Sequence, residues 1–338
     1  MVIGASGQIG RPAVAALERD GWEVTAASRG GGRDASWGEG VRAVRLDRSD
    51  DAALAAAVGD GCDLVVDMVA YDAGHARQLT ALAGRIGSAV VVSSVSVYED
   101  GKGRGFDTQS EPDGVPAYPV PVAETQPTVA PGEASYSTRK AAMERELLAQ
   151  GAELPTTVLR AGAVHGPYSP LPRELYFVKR NLDGRGRRVL AYGGESRFHP
   201  AGARNVAELV RLAAARPGSR VLNACDPEAP TVAAIGAAID AVMGVETETT
   251  PVDGPPPRGN VGRTPWSAPL PVVLDMSAAE RELGYRPVVS YVDSLPETVE
   301  WLRRRLAAED WRECFPLLAR VYPDLFDYAT EDAWRAGA

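Results

Sequence analysis

At 338 residues, 45% hydrophobic and 24% charged, the chain is long enough for one large α/β domain and a smaller lobe. A net charge of −9 argues against nucleic acid as a partner, since a phosphate backbone calls for a basic face, and no apolar run reaches membrane-spanning length. Three cysteines (Cys62, Cys225, Cys314) and three histidines (His75, His165, His199), all widely spaced, argue against a disulfide framework and a metal site; with no signal peptide in the sequence they predict a cytoplasmic protein.

The first elements carry the strongest local signal. A short apolar stub, Met1-Val2-Ile3, runs into Gly4-Ala5-Ser6-Gly7-Gln8-Ile9-Gly10, and a helical pattern over Arg11–Asp20 stops at Gly21. Strand, glycine turn and helix in that order form a dinucleotide-binding fingerprint. Gly4, Gly7 and Gly10 let the backbone approach a pyrophosphate, and Ser6, Gln8 and Ile9 complete the loop in front of a helix N-terminus whose dipole and free N–H groups favour an anion. The alternative is a plain glycine-rich turn. The stub is shorter than a usual first strand, so either that strand is short or the start is truncated.

Next come strands over Trp22–Ala27 and Val41–Leu46, a helix over Asp51–Val58, a strand over Leu64–Ala70 and a helix over Ala73–Ile86. The end of the second strand sets nucleotide preference. NAD sites place an acid there for the ribose 2′-hydroxyl. Here Ser28-Arg29 offers a hydroxyl and a guanidinium, which suit a 2′-phosphate, so NADP is expected, with NAD as the alternative in which Arg29 stacks on adenine.

A buried strand over Ala89–Ser93 leads into Ser94-Val95-Ser96-Val97-Tyr98, placing hydroxyls at the carboxyl end of a parallel strand, where α/β sheets bind ligands. Glu99–Glu133 is a long Pro/Gly/Asp-rich segment, expected to act as a lid over the site. Tyr136-Ser137-Thr138-Arg139-Lys140 opens a helix over Ser135–Gln150, so Tyr136 and Lys140 share a face. A nearby ammonium favours the phenolate and brings a tyrosine toward working pH. Strands over Thr156–Arg160 and Arg220–Ala224 and a helix over Ala203–Ala214 complete an alternating α/β pattern.

Taken together, these motifs resemble the extended short-chain dehydrogenase/reductase family, also called the NAD-dependent epimerase/dehydratase family. Leu159-Arg160-Ala161-Gly162-Ala163-Val164-His165-Gly166-Pro167 resembles that family's Leu-Arg-Pro-Gly-x-x-Tyr-Gly-Pro stretch, with Ala161 and His165 as departures. Asp275-Met276-Ser277 with Leu283-Gly284-Tyr285-Arg286-Pro287 resembles its C-terminal signature; there Ser277 and Glu280 read as a capping box and Gly284 as a helix stop. The run Tyr71–Leu79 is similar to the branch that includes chloroplast stem-loop-binding proteins.

The resemblance implies an α/β fold, a doubly wound parallel sheet of Rossmann type with a smaller C-terminal substrate lobe. The nucleotide domain is expected over 1–165, completed by 203–225, with the substrate lobe over 166–202 and 226–308. A helical extension over 309–338 carries Trp311, Phe315, Tyr322, Phe326, Tyr328 and Trp334; it reads as docked by core packing, with a homodimer contact as the second reading. The resemblance further implies Ser94, Tyr136 and Lys140 as the catalytic set. It adds Asp47 and Arg48 near adenine, and Met68, Val69, Ala70, Ser93, Ala161 and Val164 along the cofactor. Ser96, Tyr98, His165 and Arg197 fall around a small-molecule substrate.

Val95-Ser96 stands where family dehydratases carry an Asp-Glu pair, which argues against sugar dehydration. The leading expectation is an NADP-dependent ketone reductase or alcohol dehydrogenase acting on a small metabolite, in secondary metabolism. A nucleotide-sugar epimerase or 4-ketoreductase is the alternative. A dinucleotide- or RNA-associated binding protein without turnover is the reading from another class.

Overall fold

The computed structural model describes residues 1–337, in two compact units: 1–162, 203–225 and 274–288 form the first, and 163–202, 226–273 and 289 onward the second. The first unit opens with β1 (Val2–Ile3), α1 (Gly10–Arg19), β2 (Thr25–Ser28), β3 (Arg42–Arg45), α2 (Asp51–Val58), β4 (Cys62–Asp67), α3 (Ala73–Thr80), β5 (Ile86–Ser94), α4 (Tyr136–Leu148) and β6 (Thr156–Ala161). The second unit takes β7 (Ala163–His165), α5 (Leu175–Leu182), β8 (Arg187–Leu190) and β9 (Pro200–Gly202). The first resumes with α6 (Ala203–Ala215) and β10 (Arg220–Ala224), and the second with α7 (Val232–Met243) and β11 (Glu248–Pro251). After α8 (Ser277–Leu283) in the first unit, the second closes with α9 (Tyr291–Leu306), α10 (Trp311–Cys314), α11 (Pro316–Val321) and α12 (Tyr328–Ala336).

Seven strands of the first unit form one parallel sheet in the order β10-β6-β5-β4-β1-β2-β3. Runs such as Leu64-Val65-Val66 and Ala89-Val90-Val91 are apolar on successive residues because both faces of this sheet are buried. The strand order reverses between β1 and β4, so the loops leaving their carboxyl ends diverge and open the crevice where such sheets bind ligands. This is the doubly wound Rossmann-type α/β fold. In the second unit, α5, α7 and α9 enclose a core of Phe177, Ile235, Trp266, Leu295 and Leu302. Trp311, Phe315 and Leu318 of the tail join that same core, so the tail is part of the second unit's interior.

Several boundaries differ from the sequence reading. Residues 21–24 do not extend β2: Gly21 takes φ +89° and the Trp22 amide still closes the end of α1 on the Leu17 carbonyl at 3.1 Å. β4 stops at Asp67 because its Oδ1 accepts from the Val69 amide at 2.9 Å and turns the chain. α3 ends at Thr80, and Ile86 pairs with Cys62 as the first residue of β5. The expected capping box at α8 does not form. Met276 is the cap residue without a side-chain bond, the Ser277 amide is taken by Asp275 Oδ1 at 2.9 Å, and Glu280 pairs with Arg286 instead. Gly284 does end the helix, at φ +67°. Residues 274–288, expected in the substrate lobe, belong to the first unit: Asn223 Nδ2 donates to the Asp275 carbonyl at 3.0 Å and the Val288 amide to Asn205 Oδ1 at 2.9 Å.

Candidate active site

At the crevice, the Gly4 and Ala5 amides both donate to the Ala27 carbonyl, at 3.0 and 3.1 Å, bending the chain sharply off β1. Gly4 sits at φ +80°, and a Cβ there would come 2.9 Å from Val69 Cγ1. A Cβ on Gly10 would lie 2.2 Å from the Gly4 carbonyl oxygen, and one on Gly7 3.1 Å from it. The loop is thus a cradle open only to glycine. Ile9 precedes α1 without any side-chain cap, the Arg11 amide donates to the Gly7 carbonyl at 3.1 Å and Pro12 has no N–H, so the cradle offers an anion close backbone approach and the helix dipole, not a row of first-turn amides. Ser6 and Gly7 are exposed, with Gln8 and Ile9 half-buried behind them. This geometry fits a dinucleotide pyrophosphate.

Ser28 ends β2 with its Oγ accepting from the Gly31 amide at 3.1 Å, and Arg29 stands exposed beyond it. Asp47 Oδ1 accepts from the Ser49 amide at 3.0 Å and leaves the carboxylate exposed. Arg48 departs from expectation. Its guanidinium is buried against Asp67 Oδ2 at 2.6 Å and donates to the His75 carbonyl at 2.7 Å, so it braces β4 against α3 and does not face adenine. Met68 and Val69 line the crevice beside Gly4, and the Ala70 carbonyl accepts from Lys140. Ser93 also departs: its hydroxyl donates to Glu144 Oε1 at 2.5 Å, within a buried pair of Glu144 with Arg160. Ala161 closes β6 beside Ser94, in register with it, and Val164 lies in the second unit.

Ser135 caps α4 by accepting from the Thr138 amide at 3.1 Å, which makes Tyr136 its first residue. The Tyr136 phenol lies beside Ser94 at the end of β5; burial pushes its pKa up and the nearby Ser94 hydroxyl pulls it back. The residue as a whole remains 39% exposed. Lys140 is buried one turn on, with Nζ 5.8 Å from the Tyr136 ring centre, and donates to the carbonyls of Ala70 at 2.6 Å and Val92 at 2.9 Å. Burial lowers its pKa to about 8, against the pull of Asp67, Glu144 and Asp72. The structure therefore brings Ser94, Tyr136 and Lys140 together. The phenol is raised in the protein alone, contrary to the expectation that the ammonium brings it down, because desolvation, with the Tyr71 phenol adding to it, outweighs the Ser94 hydroxyl.

The expected substrate residues fare differently. Ser96 is buried, and its Oγ has no partner. Tyr98 is fully buried, donates to Asn223 Oδ1 at 2.7 Å beneath the Arg160 guanidinium, and has its phenol pushed up to about 12 by burial. It packs the first unit and cannot face a substrate. His165 and Arg197 belong to the second unit. His165 Nε2 lies 2.5 Å from Asp226 Oδ2, with its ring 4.8 Å from Tyr291, inside that unit's core, which leaves it no open face. Arg197 is exposed and donates to the Ala229 carbonyl at 3.1 Å.

One neighbour escaped sequence reasoning. Tyr71, 40% exposed, meets the Tyr136 ring edge-on with centroids 5.3 Å apart, and Arg139 stands 5.1 Å over the Tyr71 ring. Its only signal was its place just past Met68-Val69-Ala70. The segment 99–133, expected to act as a lid, is tied down to the first unit. Asp100 accepts from the amides of Lys102, Arg104 and Ala117, Tyr118 donates to the Tyr98 carbonyl at 2.9 Å, and the Val129 amide to the Val97 carbonyl at 2.8 Å, tying it to the first unit.

Known structures share this architecture. A UDP-glucose 4-epimerase from Thermotoga maritima, solved with UDP-glucose, aligns with TM-score 0.67 at 20% identity over 90% of this chain and 98% of its own. A UDP-N-acetylglucosamine 4-epimerase from Methanobrevibacter ruminantium M1, in complex with UDP-N-acetylmuramic acid, aligns with TM-score 0.68 at 20% identity over 90% and 97%. MoeE5 in complex with UDP-glucose and NAD aligns with TM-score 0.64 at 22% identity over 90% and 98%. At these identities the likeness speaks to the fold. No curated protein matches the chain. The profile of the NAD dependent epimerase/dehydratase family matches residues 1–225, a stretch that holds the glycine cradle, Ser94, Tyr136 and Lys140. With that match over two thirds of its length, the chain belongs to the NAD dependent epimerase/dehydratase family of enzymes.

Proposed function

We propose that the protein is an NADP-dependent oxidoreductase interconverting a ketone and an alcohol on a small metabolite. The observation that carries this reading is Tyr136, partly exposed and beside Ser94, one helical turn from buried Lys140. The dinucleotide supplies or accepts the hydride. Tyr136 Oη gives the proton to the carbonyl oxygen in reduction and takes it from the hydroxyl in oxidation. Ser94 Oγ hydrogen-bonds the same oxygen and holds the substrate against the phenol. Lys140 favours the phenolate through its charge, and the donor left after its two carbonyl bonds suits a ribose hydroxyl. The cradle around Gly4, Gly7 and Gly10, where added Cβ atoms would clash, would hold the pyrophosphate of a bound dinucleotide. The absence of an acid at the end of β2, with Arg29 exposed there, supports NADP over NAD.

Nucleotide-sugar epimerisation is the second reading. It is favoured by the structural likeness, over 90% of this chain, to proteins named as 4-epimerases. Mass spectrometry of the nucleotide released from purified protein separates the two. Exchangeable NADP(H) is expected for the reductase; stoichiometric, tightly held NAD overturns it in favour of the epimerase.

A further inference from the structure

The segment between the two halves of the catalytic set grips the catalytic helix at its first turn. Asp107 lies in a short 3₁₀ turn, Phe106–Thr108. Its Oδ2 accepts from the Ser135 hydroxyl at 2.5 Å, and its Oδ1 from the Ser137 hydroxyl at 2.9 Å. These serines flank Tyr136. One carboxylate therefore pins the residues on both sides of the phenol-bearing position.

That turn is itself anchored. Thr108 Oγ1 donates to the Gly114 carbonyl at 2.6 Å, and the Phe106 ring stacks on Tyr118 with centroids 6.5 Å apart. Tyr118 reaches back to the Tyr98 carbonyl, and Asp100, 3% exposed, organises the loop start. The grip is thus fixed to the body of the first unit, four residues beyond Ser94 on the chain.

We infer that Asp107 is a positioning residue for Tyr136. Tyr136 is the first residue of α4, where helices fray, since first-turn amides have no partners within the helix. Ser135 already caps the Thr138 amide; Asp107 adds the tertiary contact that sets how the first turn is rotated about the helix axis. That rotation decides whether the phenol meets Ser94. The inference rests on Tyr136 being the proton carrier.

Charge and position make opposite demands, which gives the test its sign. Removing a carboxylate near a phenol favours the phenolate and lowers its pKa. Losing the Ser94 hydroxyl beside the phenol, which also favours the phenolate, raises it. The experiment uses the full-length protein labelled with 3-fluorotyrosine, with the Tyr136 fluorine resonance identified by its loss in Tyr136→Phe and titrated with pH. Asp107→Ala is expected to raise the midpoint by about half a pH unit or more. Asp107→Asn keeps two hydrogen bonds and is expected to leave the midpoint at or below the native one. Ser137→Ala removes one leg of the grip, stands in if Asp107→Ala folds poorly, and is expected to raise the midpoint by a smaller amount. An Asp107→Ala midpoint equal to or below the native value, or Asp107→Asn raised as far as Asp107→Ala, overturns the inference. Full turnover by Tyr136→Phe overturns the catalytic reading instead, so the two failures are told apart.

Discussion

Tyr136, Ser94 and Lys140 come from the end of a strand and the start of a helix, and each is held by a different force. An edge-on contact with the Tyr71 ring holds the Tyr136 ring, the strand end holds the serine, and burial with two carbonyl bonds holds the ammonium. If Tyr136 moves the proton, Tyr136→Phe keeps the ring's packing against Tyr71 and loses the reacting atom. Turnover on any accepted ketone is expected to fall at least ~100-fold with nucleotide affinity unchanged, measured as kcat beside a dinucleotide titration; a loss under threefold sinks the role. That Tyr136 and Lys140 share one turn of a helix was legible because it is encoded at a fixed local spacing. His165 and Tyr98 were misread because burial is not local: Asp226 and Asn223, the partners that turn them inward, lie 61 and 125 positions away. Tyr71 was missed for the same reason, since its meaning comes from a ring on another element.

Among the elements, α2 and β10 were legible to the residue, being bounded by clear signals such as the Asp50 cap. Ends set by turns, such as those of β4 and α3, were not, because a single side chain like Asp67 decides them. The loop after β2 carries the second prediction. Arg29→Asp replaces a phosphate-binding cation with a carboxylate that repels phosphate and accepts from a ribose hydroxyl. The ratio of NADPH to NADH affinity is expected to drop by at least ~10-fold, read by titrating both nucleotides against both proteins. Tighter native binding of NADH than NADPH refutes the assignment.

Helix α4 carries a third. Lys140 ionises at about 8 in the folded chain against an ordinary 10.5. Between those values the unfolded chain binds more protons, so this residue makes stability rise with pH across that window. Below it the buried ammonium carries a constant penalty, on the order of 3 kcal/mol at most. Urea midpoints of native protein and Lys140→Met, compared from pH 7 to 10.5, are expected to converge as pH rises; parallel curves refute the buried charge.

At the scale of the whole molecule, the chain passes between its two units five times, at 162/163, 202/203, 225/226, 273/274 and 288/289. The most distant returning piece, 274–288, brings Leu283, 1% exposed, and Tyr285 into the first unit. Leu283→Ala is expected to destabilise that unit by ~2–4 kcal/mol. Hydrogen exchange should then quicken at the β10 amides while those of α7 keep their native rates. Equal quickening in both would mean the two units unfold as one.

This interleaving has a consequence for biosynthesis. A nucleotide-binding unit encoded without interruption could finish folding on the ribosome while the rest of the protein was still being made. Here the first unit lacks α8 and its strap until residue 288 of 338 has left the exit tunnel. The nascent chain must therefore carry a sheet whose last strand ends at Ala224 while the surface destined for Leu283 and Tyr285 stays uncovered until that later piece emerges. Slow translation of the middle third would prolong that exposure, and growth temperature or chaperone supply should limit the yield of native protein more than codon choice near its start.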